Sequence, residues 1–213
     1  LTITVTAHGW VEAGQALLRS GANKGDIIAV SGVIGDAGLG LKLALNQLKQ
    51  IDQAWLEQSD IEHCLKALNC PQPQIALGRL LNQYANSAID ISDGLLADLG
   101  HILEQSNKLN GLNDQAELGA EIYIESLPIS LAMQKWINQT QEWALPLSAG
   151  DDYQLCFTVS PENWGALQDR AGQLGLEIKA VGKITSGSGV IVKESQESNQ
   201  QVENLTGLGY QHF

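Results

Sequence analysis

Residues 87–95, Ser87-Ala88-Ile89-Asp90-Ile91-Ser92-Asp93-Gly94-Leu95, read as the end of a strand, a tight turn and the start of a helix. A short β-like run closes on two carboxylates with a serine between them. A glycine follows, and an apolar helical pattern begins at Leu95. Side chains alternate along a strand, so Asp90 and Ser92 are expected to point the same way, with Asp93 at the strand-to-helix corner. Two acids and a hydroxyl at the end of a strand form a candidate hard-cation site. Mg²⁺ takes a few carboxylate oxygens, keeps several waters and completes its shell with substrate phosphate. The same residues also suit a structural role, with Ser92 or Asp93 capping the helix. The two roles are compatible.

Working outward, strands alternate with helices. Leu1 to Thr6 alternates with period two, and residues 1–11 read as a lead-in strand; Ile27 to Ser31 reads as a compact buried strand. The glycine-rich turn Gly32 to Gly40 leads into a helix reaching about Gln50, with Asp36 as its cap. Helices are expected over 52–68, 75–84, 95–106, 127–138 and 161–174. Strands are expected over 121–124 and 154–159, and a hairpin joins 177–184 to 189–193 across Thr185-Ser186-Gly187-Ser188. Residues 107–120 read as a surface loop. The fold class is α/β in the layered α+β sense, a mixed β-sheet flanked by helices.

Composition narrows the chemistry. With 12 basic and 24 acidic residues the formal charge is −12, which argues against a nucleic-acid partner. A small phosphorylated ligand would arrive with divalent cations. No apolar run reaches the ~18 residues of a membrane span, and no leader peptide is visible. Three cysteines, Cys64, Cys70 and Cys156, fit a reducing, cytoplasmic setting better than a disulfide framework, and their spacing does not suit zinc.

Other motifs are weaker. Gly35 to Gly40 has P-loop glycine spacing, but Leu41-Lys42 stands where Lys-Ser/Thr is required. Ser186-Gly187-Ser188-Gly189 joins two strands and is a turn, not a nucleophile elbow. Ser148-Ala149-Gly150-Asp151-Asp152-Tyr153 forms a second acidic cluster, able to bind a metal or a substrate amine, or to be a solvated turn. Arg19 could clamp a phosphate.

Taken in order, these pieces resemble the thiamine-monophosphate kinase family, within the aminoimidazole ribonucleotide synthetase-like superfamily. The resemblance rests on His8-Gly9-Trp10-Val11, Leu18 to Ala22, Lys24-Gly25-Asp26, Asn86 to Leu95 running on to Asp98-Leu99-Gly100-His101-Ile102, Ser148 to Phe157, and the closing Gly209-Tyr210-Gln211-His212-Phe213. It implies phosphoryl transfer from ATP to thiamine monophosphate, giving thiamine diphosphate. By matching motif, Asp90 and Asp93 hold several Mg²⁺ ions, Arg19 and Ser92 contact ATP, and Asp151 and Tyr210 contact the acceptor. No general base is implied, because the acceptor is already an anionic phosphate.

The chain departs from the family pattern where Asp151 replaces the usual glutamate, and in lacking the N-terminal aspartate-rich half. Residues 1–213 are therefore expected to be the C-terminal domain, with 1–11 leading in, inactive alone and dimeric through the absent half. Two other readings stand beside this one: a sister ATP-dependent enzyme of the superfamily, and a non-catalytic module binding nucleotide or thiamine phosphates.

Overall fold

The computed structural model describes residues 2–48, 55–111, 116–198 and 202. Six strands form one mixed sheet: β1 (Ile27–Ser31), β2 (Ala85–Asp90), β3 (Leu118–Tyr123), β4 (Leu155–Val159), β5 (Ile178–Ser186) and β6 (Val190–Lys193). Their order is β2-β4-β1-β5-β3-β6. Every neighbouring pair is antiparallel except β3 with β6, which is parallel. The helices are α1 (Asp36–Ala44), α2 (Gln58–Asn69), α3 (Ile75–Leu81), α4 (Leu95–Gly111), α5 (Leu131–Thr140), α6 (Ala144–Ser148) and α7 (Pro161–Gln173).

The sheet is covered on both faces, which is why β1 is apolar from Ile27 to Val30 instead of alternating. On one side Ile28, Val30, Ile89, Ile91, Cys156 and Val181 meet Leu95, Leu99, Ile102 and Leu103 of α4. On the other, Ala29, Phe157 and Val159 meet Leu77, Leu80 and Leu81 of α3 and Leu167 and Ala171 of α7. Alternation along β1 and β4 thus feeds two cores from single strands. A third cluster joins α1, α2 and α5 through Leu39, Cys64, Met133 and Trp136. Leu99 is fully buried, and truncating such a leucine to alanine costs about 2–5 kcal/mol.

Three expectations are corrected. Residues 2–11 form no strand: Ile3, Val5, Trp10 and Val11 are exposed, and among the described residues no strand pairs with the segment. A period-two pattern becomes a strand only where a partner ladder exists. The expected hairpin is absent although both of its strands form, because β3 lies between them. Glu121 in β3 pairs with Lys183 of β5 at 3.2 Å and Lys193 of β6 at 2.7 Å, tying the three strands in that order. Residues 107–120 are not one loop, since α4 runs to Gly111 and β3 starts at Leu118.

Candidate functional site

β2 ends at the exposed Asp90, after which Ile91 is buried and Ser92 and Asp93 are half-buried. Gly94 adopts φ 108°, and α4 begins at Leu95. From inside the helix, Oδ2 of Asp98 reaches back to the turn and accepts from the backbone N–H of Ser92 at 2.9 Å and of Asp93 at 3.0 Å. Asp98 is 2% exposed. It folds the turn back, with Ile91 buried in the core while Asp90 is exposed and Ser92 and Asp93 are half-buried.

The second acidic segment lies against the first. Asp151 donates its N–H to the Ser92 carbonyl at 3.0 Å, Tyr153 donates to the Ile91 carbonyl at 2.8 Å, and Ile91 donates to Gln154 at 2.7 Å. Two glycines permit this approach. A Cβ on Gly94 would lie 2.6 Å from the Ser148 carbonyl, and one on Gly150 would collide with the Ser92 carbonyl oxygen. Asp151 and Tyr153 both adopt left-handed backbone, at φ 68° and 50°. A non-glycine residue there costs on the order of 1–3 kcal/mol and persists where its surroundings dictate it, most often at functional sites.

Between them Asp152 turns inward. Its carboxylate accepts from Gly35 N–H at 2.6 Å and Ala37 N–H at 3.3 Å, so it caps α1 from a distant segment. The expectation that Asp36 caps α1 is corrected: Asp36 is the first residue of the helix and binds Ser130 Oγ at 2.5 Å and His63 Nε2 at 2.6 Å. Burial, opposed by the two amides and aided by Asp36 and Asp151, pushes the Asp152 carboxyl up to about 7.

The outward face is strongly negative. Burial raises the Asp98 carboxyl above its ordinary range, and the charges of Asp93 and Asp90 add to the effect. Asp93, Asp98 and His101 each place one donor atom within 4.8 Å of the others. Oxygen donors from Asp90 and Asp93, in a field of excess negative charge, suit a hard divalent cation. Cys64 and Cys156 are buried and unpaired, their thiols pushed up to about 12 by burial, so neither is a nucleophile or a soft-metal ligand.

Asp90, Ser92, Asp93 and Asp151 are therefore brought together. Arg19 is exposed on the segment beside the outer edge of β2, where the preceding Leu18 carbonyl accepts from Ala88 N–H at 3.0 Å. Tyr210 lies outside the described residues. The sequence places Asp98, Asp152 and Tyr153 within its motifs, Asp152 in the second acidic cluster, and assigns none of the three a role of its own. The first two read as ordinary helix and turn acids, and only their partners reveal their work. Tyr153 carried a signal, an aromatic directly after two acids in a turn.

No protein-family model matches the chain. Among curated proteins it is 40% identical over 186 residues to the thiamine-monophosphate kinase of Escherichia coli (strain K12), covering 87% of this chain and 53% of that protein. Among solved structures, the thiamine-monophosphate kinase from Stenotrophomonas maltophilia K279a superposes with a TM-score of 0.73 at 38% identity, covering 87% of this chain and 55% of that one. A structure described as AaThiL complexed with AMPPCP and TMP gives a TM-score of 0.68 at 29% identity, covering 92% and 54%. The chain spans about half the length of the curated relatives it matches.

Proposed function

We propose that this chain, a homologue of thiamine-monophosphate kinases over most of its length, forms the C-terminal wall of an active site. That site transfers the γ-phosphoryl group of ATP to thiamine monophosphate. The observation that carries the reading is the hydrogen-bonded junction of two acidic segments, which presents Asp90, Ser92, Asp93 and Asp151 on one surface. The relative in complex with AMPPCP and TMP supports an ATP-like donor and that acceptor.

Phosphoryl transfer demands positioning and charge neutralisation more than covalent chemistry. In this reading Asp90 and Asp93 hold Mg²⁺. When bound, the ions cancel the repulsion between donor and acceptor phosphates. The Ser92 hydroxyl donates to a phosphate oxygen of ATP. Arg19, at the outer edge of β2, pairs with another, as a guanidinium suits phosphate. Asp151 engages the cationic acceptor, and Tyr210 packs on it. Asp98 keeps the metal-holding turn in shape from beneath. No residue has to remove a proton, since the attacking oxygen belongs to a phosphate already ionised at neutral pH.

The remaining wall, in this account, belongs to an N-terminal domain that also forms a homodimer, and the protein works in the cytoplasm. No helix among the described residues is long and apolar enough to cross a membrane. The test is to incubate the complete gene product with ATP, Mg²⁺ and thiamine monophosphate and to follow thiamine diphosphate. Its accumulation supports the proposal; a folded, complete protein that makes none overturns it.

A further inference from the structure

The buried residues of α4 are aliphatic at Leu95, Leu96, Leu99, Ile102 and Leu103 and polar at Asp98 and Ser106. Those two side chains are 2% and 1% exposed, a placement that is costly unless they are hydrogen-bonded. Both are used in the same way. Asp98 accepts from the consecutive amides of Ser92 and Asp93. Ser106 Oγ accepts from the consecutive amides of Gly21 and Ala22, each at 3.2 Å. The first pair belongs to the turn that carries Asp90 and Asp93, the second to the segment that carries Arg19. We propose that Ser106 is a positioning residue for the donor nucleotide: through the Gly21 and Ala22 amides it sets where the Arg19 guanidinium meets ATP phosphate. The inference rests on the kinase reading, with Arg19 as its phosphate contact, and adds the residue that holds that contact in place.

Arg19 is exposed, but its backbone is clamped on both sides. Before it, the Leu18 carbonyl accepts from Ala88 N–H of β2 at 3.0 Å. After it, only Ser20 intervenes before the amides that Ser106 holds. Gly21 takes φ 120° and lies so close to β2 that a Cβ would stand 2.6 Å from the Asn86 carbonyl oxygen. Asn86 also donates from Nδ2 to Asp26 Oδ2 at 2.9 Å, which ties the far end of the loop to the same strand. The backbone under Arg19 therefore rides on β2 and α4, the two elements joined by the 90–93 turn. A helix rises 1.5 Å per residue, so the two anchors stand about 12 Å apart along one rigid axis. A guanidinium meets phosphate in a fixed fork geometry, and a shift of the backbone beneath it weakens the pairing. A serine that only stabilised the loop would affect both substrates alike.

The test uses the complete gene product and steady-state kinetics for both substrates. Arg19→Ala should raise KM for ATP by at least about tenfold, the worth of one hydrogen bond to a charged group. Ser106→Ala should raise it by about fivefold, a partial loss of the same contact, while KM for thiamine monophosphate stays within about twofold. In the double variant, Ser106→Ala should add less than about twofold to Arg19→Ala, because residues acting through one contact are not additive. Ser106→Thr keeps the hydroxyl and should stay within about twofold of the parent. Gly21→Ala drives a Cβ against the Asn86 carbonyl; it should give the same split and the same coupling to Arg19, and it decides the matter if Ser106→Ala does not fold. An unchanged KM for ATP in folded Ser106→Ala overturns the inference. An equal rise for both substrates, or full additivity with Arg19→Ala, does so too. If Arg19→Ala leaves KM for ATP unchanged, the Arg19 contact falls, and a parent without turnover sinks the kinase reading; this inference falls with either. An active parent that responds at Arg19 and not at Ser106 sinks this inference alone.

Discussion

Asp151 and Ser92 are joined by a backbone hydrogen bond of 3.0 Å, from the Asp151 N–H to the Ser92 carbonyl. With the Tyr153 N–H to the Ile91 carbonyl and the Ile91 N–H to the Gln154 carbonyl, it joins two acidic segments far apart in the chain. It places a carboxylate suited to a cationic substrate beside carboxylates suited to metal.

Gly150 makes that contact possible, because a Cβ there collides with the Ser92 carbonyl oxygen. Gly150→Ala should push the two segments apart. Misplacement of reacting groups by about 1 Å costs on the order of a hundredfold in rate, whereas local overpacking costs about 1–3 kcal/mol of stability. Measured kcat/KM should therefore fall by at least about tenfold in a protein that still unfolds cooperatively. Parental kinetics would show that the junction does not position the site.

Asp98 should show a graded response. Asp98→Ala leaves the amides of Ser92 and Asp93 without their acceptor, at a cost of about 1–3 kcal/mol for unsatisfied buried groups. Asp98→Asn retains a carbonyl oxygen and should cost less. Urea unfolding of both variants checks the order; equal stabilities would mean that the turn holds itself.

Asp152 predicts a pH dependence. Burial pushes its folded pKa up to about 7 from the ordinary 3.8, so the native state holds this proton more tightly than the unfolded chain. The stability it contributes is fully present below about pH 3.8 and is lost as pH rises through about 7. Between pH 4 and 7, in chelator-treated buffer, the stability of Asp152→Asn should fall less steeply than that of the parent. The comparison is of slopes, since the variant also weakens the α1 cap. Parallel curves would place the titration elsewhere.

Asp151 sits at φ 68°, a region in which Asp and Asn are enriched among non-glycine residues. Asp151→Asn should keep this backbone and stay within about 1 kcal/mol of parental stability. On the proposed function it removes a charge that engages the acceptor, so KM for thiamine monophosphate should rise severalfold while KM for ATP holds. Unaltered affinity for the acceptor would remove Asp151 from its recognition.

The sequence made the strand–turn–helix at 85–111 legible because its signals are local: an apolar run, a glycine at φ 108° and a helical period. The layered fold and the strands at Ile27 and Leu155 were legible for the same reason. Pairing was not. Whether β5 meets β6 or β3 is decided by tertiary contacts such as Glu121 with Lys183 and Lys193, which no local pattern encodes. The lead-in segment failed for want of a partner strand. In the site, acids at the strand end could be read directly. The cap supplied by Asp152 to a helix more than a hundred residues away became visible only once the chain was folded.

The central claim is that Asp90 and its neighbours form the metal-holding wall of a thiamine-monophosphate kinase. It is tested most directly by measuring thiamine diphosphate formation from ATP and thiamine monophosphate, with and without Mg²⁺, in the complete gene product and in Asp90→Asn. The account predicts Mg²⁺-dependent product from the parent and a loss of at least about a hundredfold in the variant, since groups that stabilise transferring phosphoryl charge are worth that much or more. Equal turnover by a folded Asp90→Asn protein, or none from the parent, would contradict it.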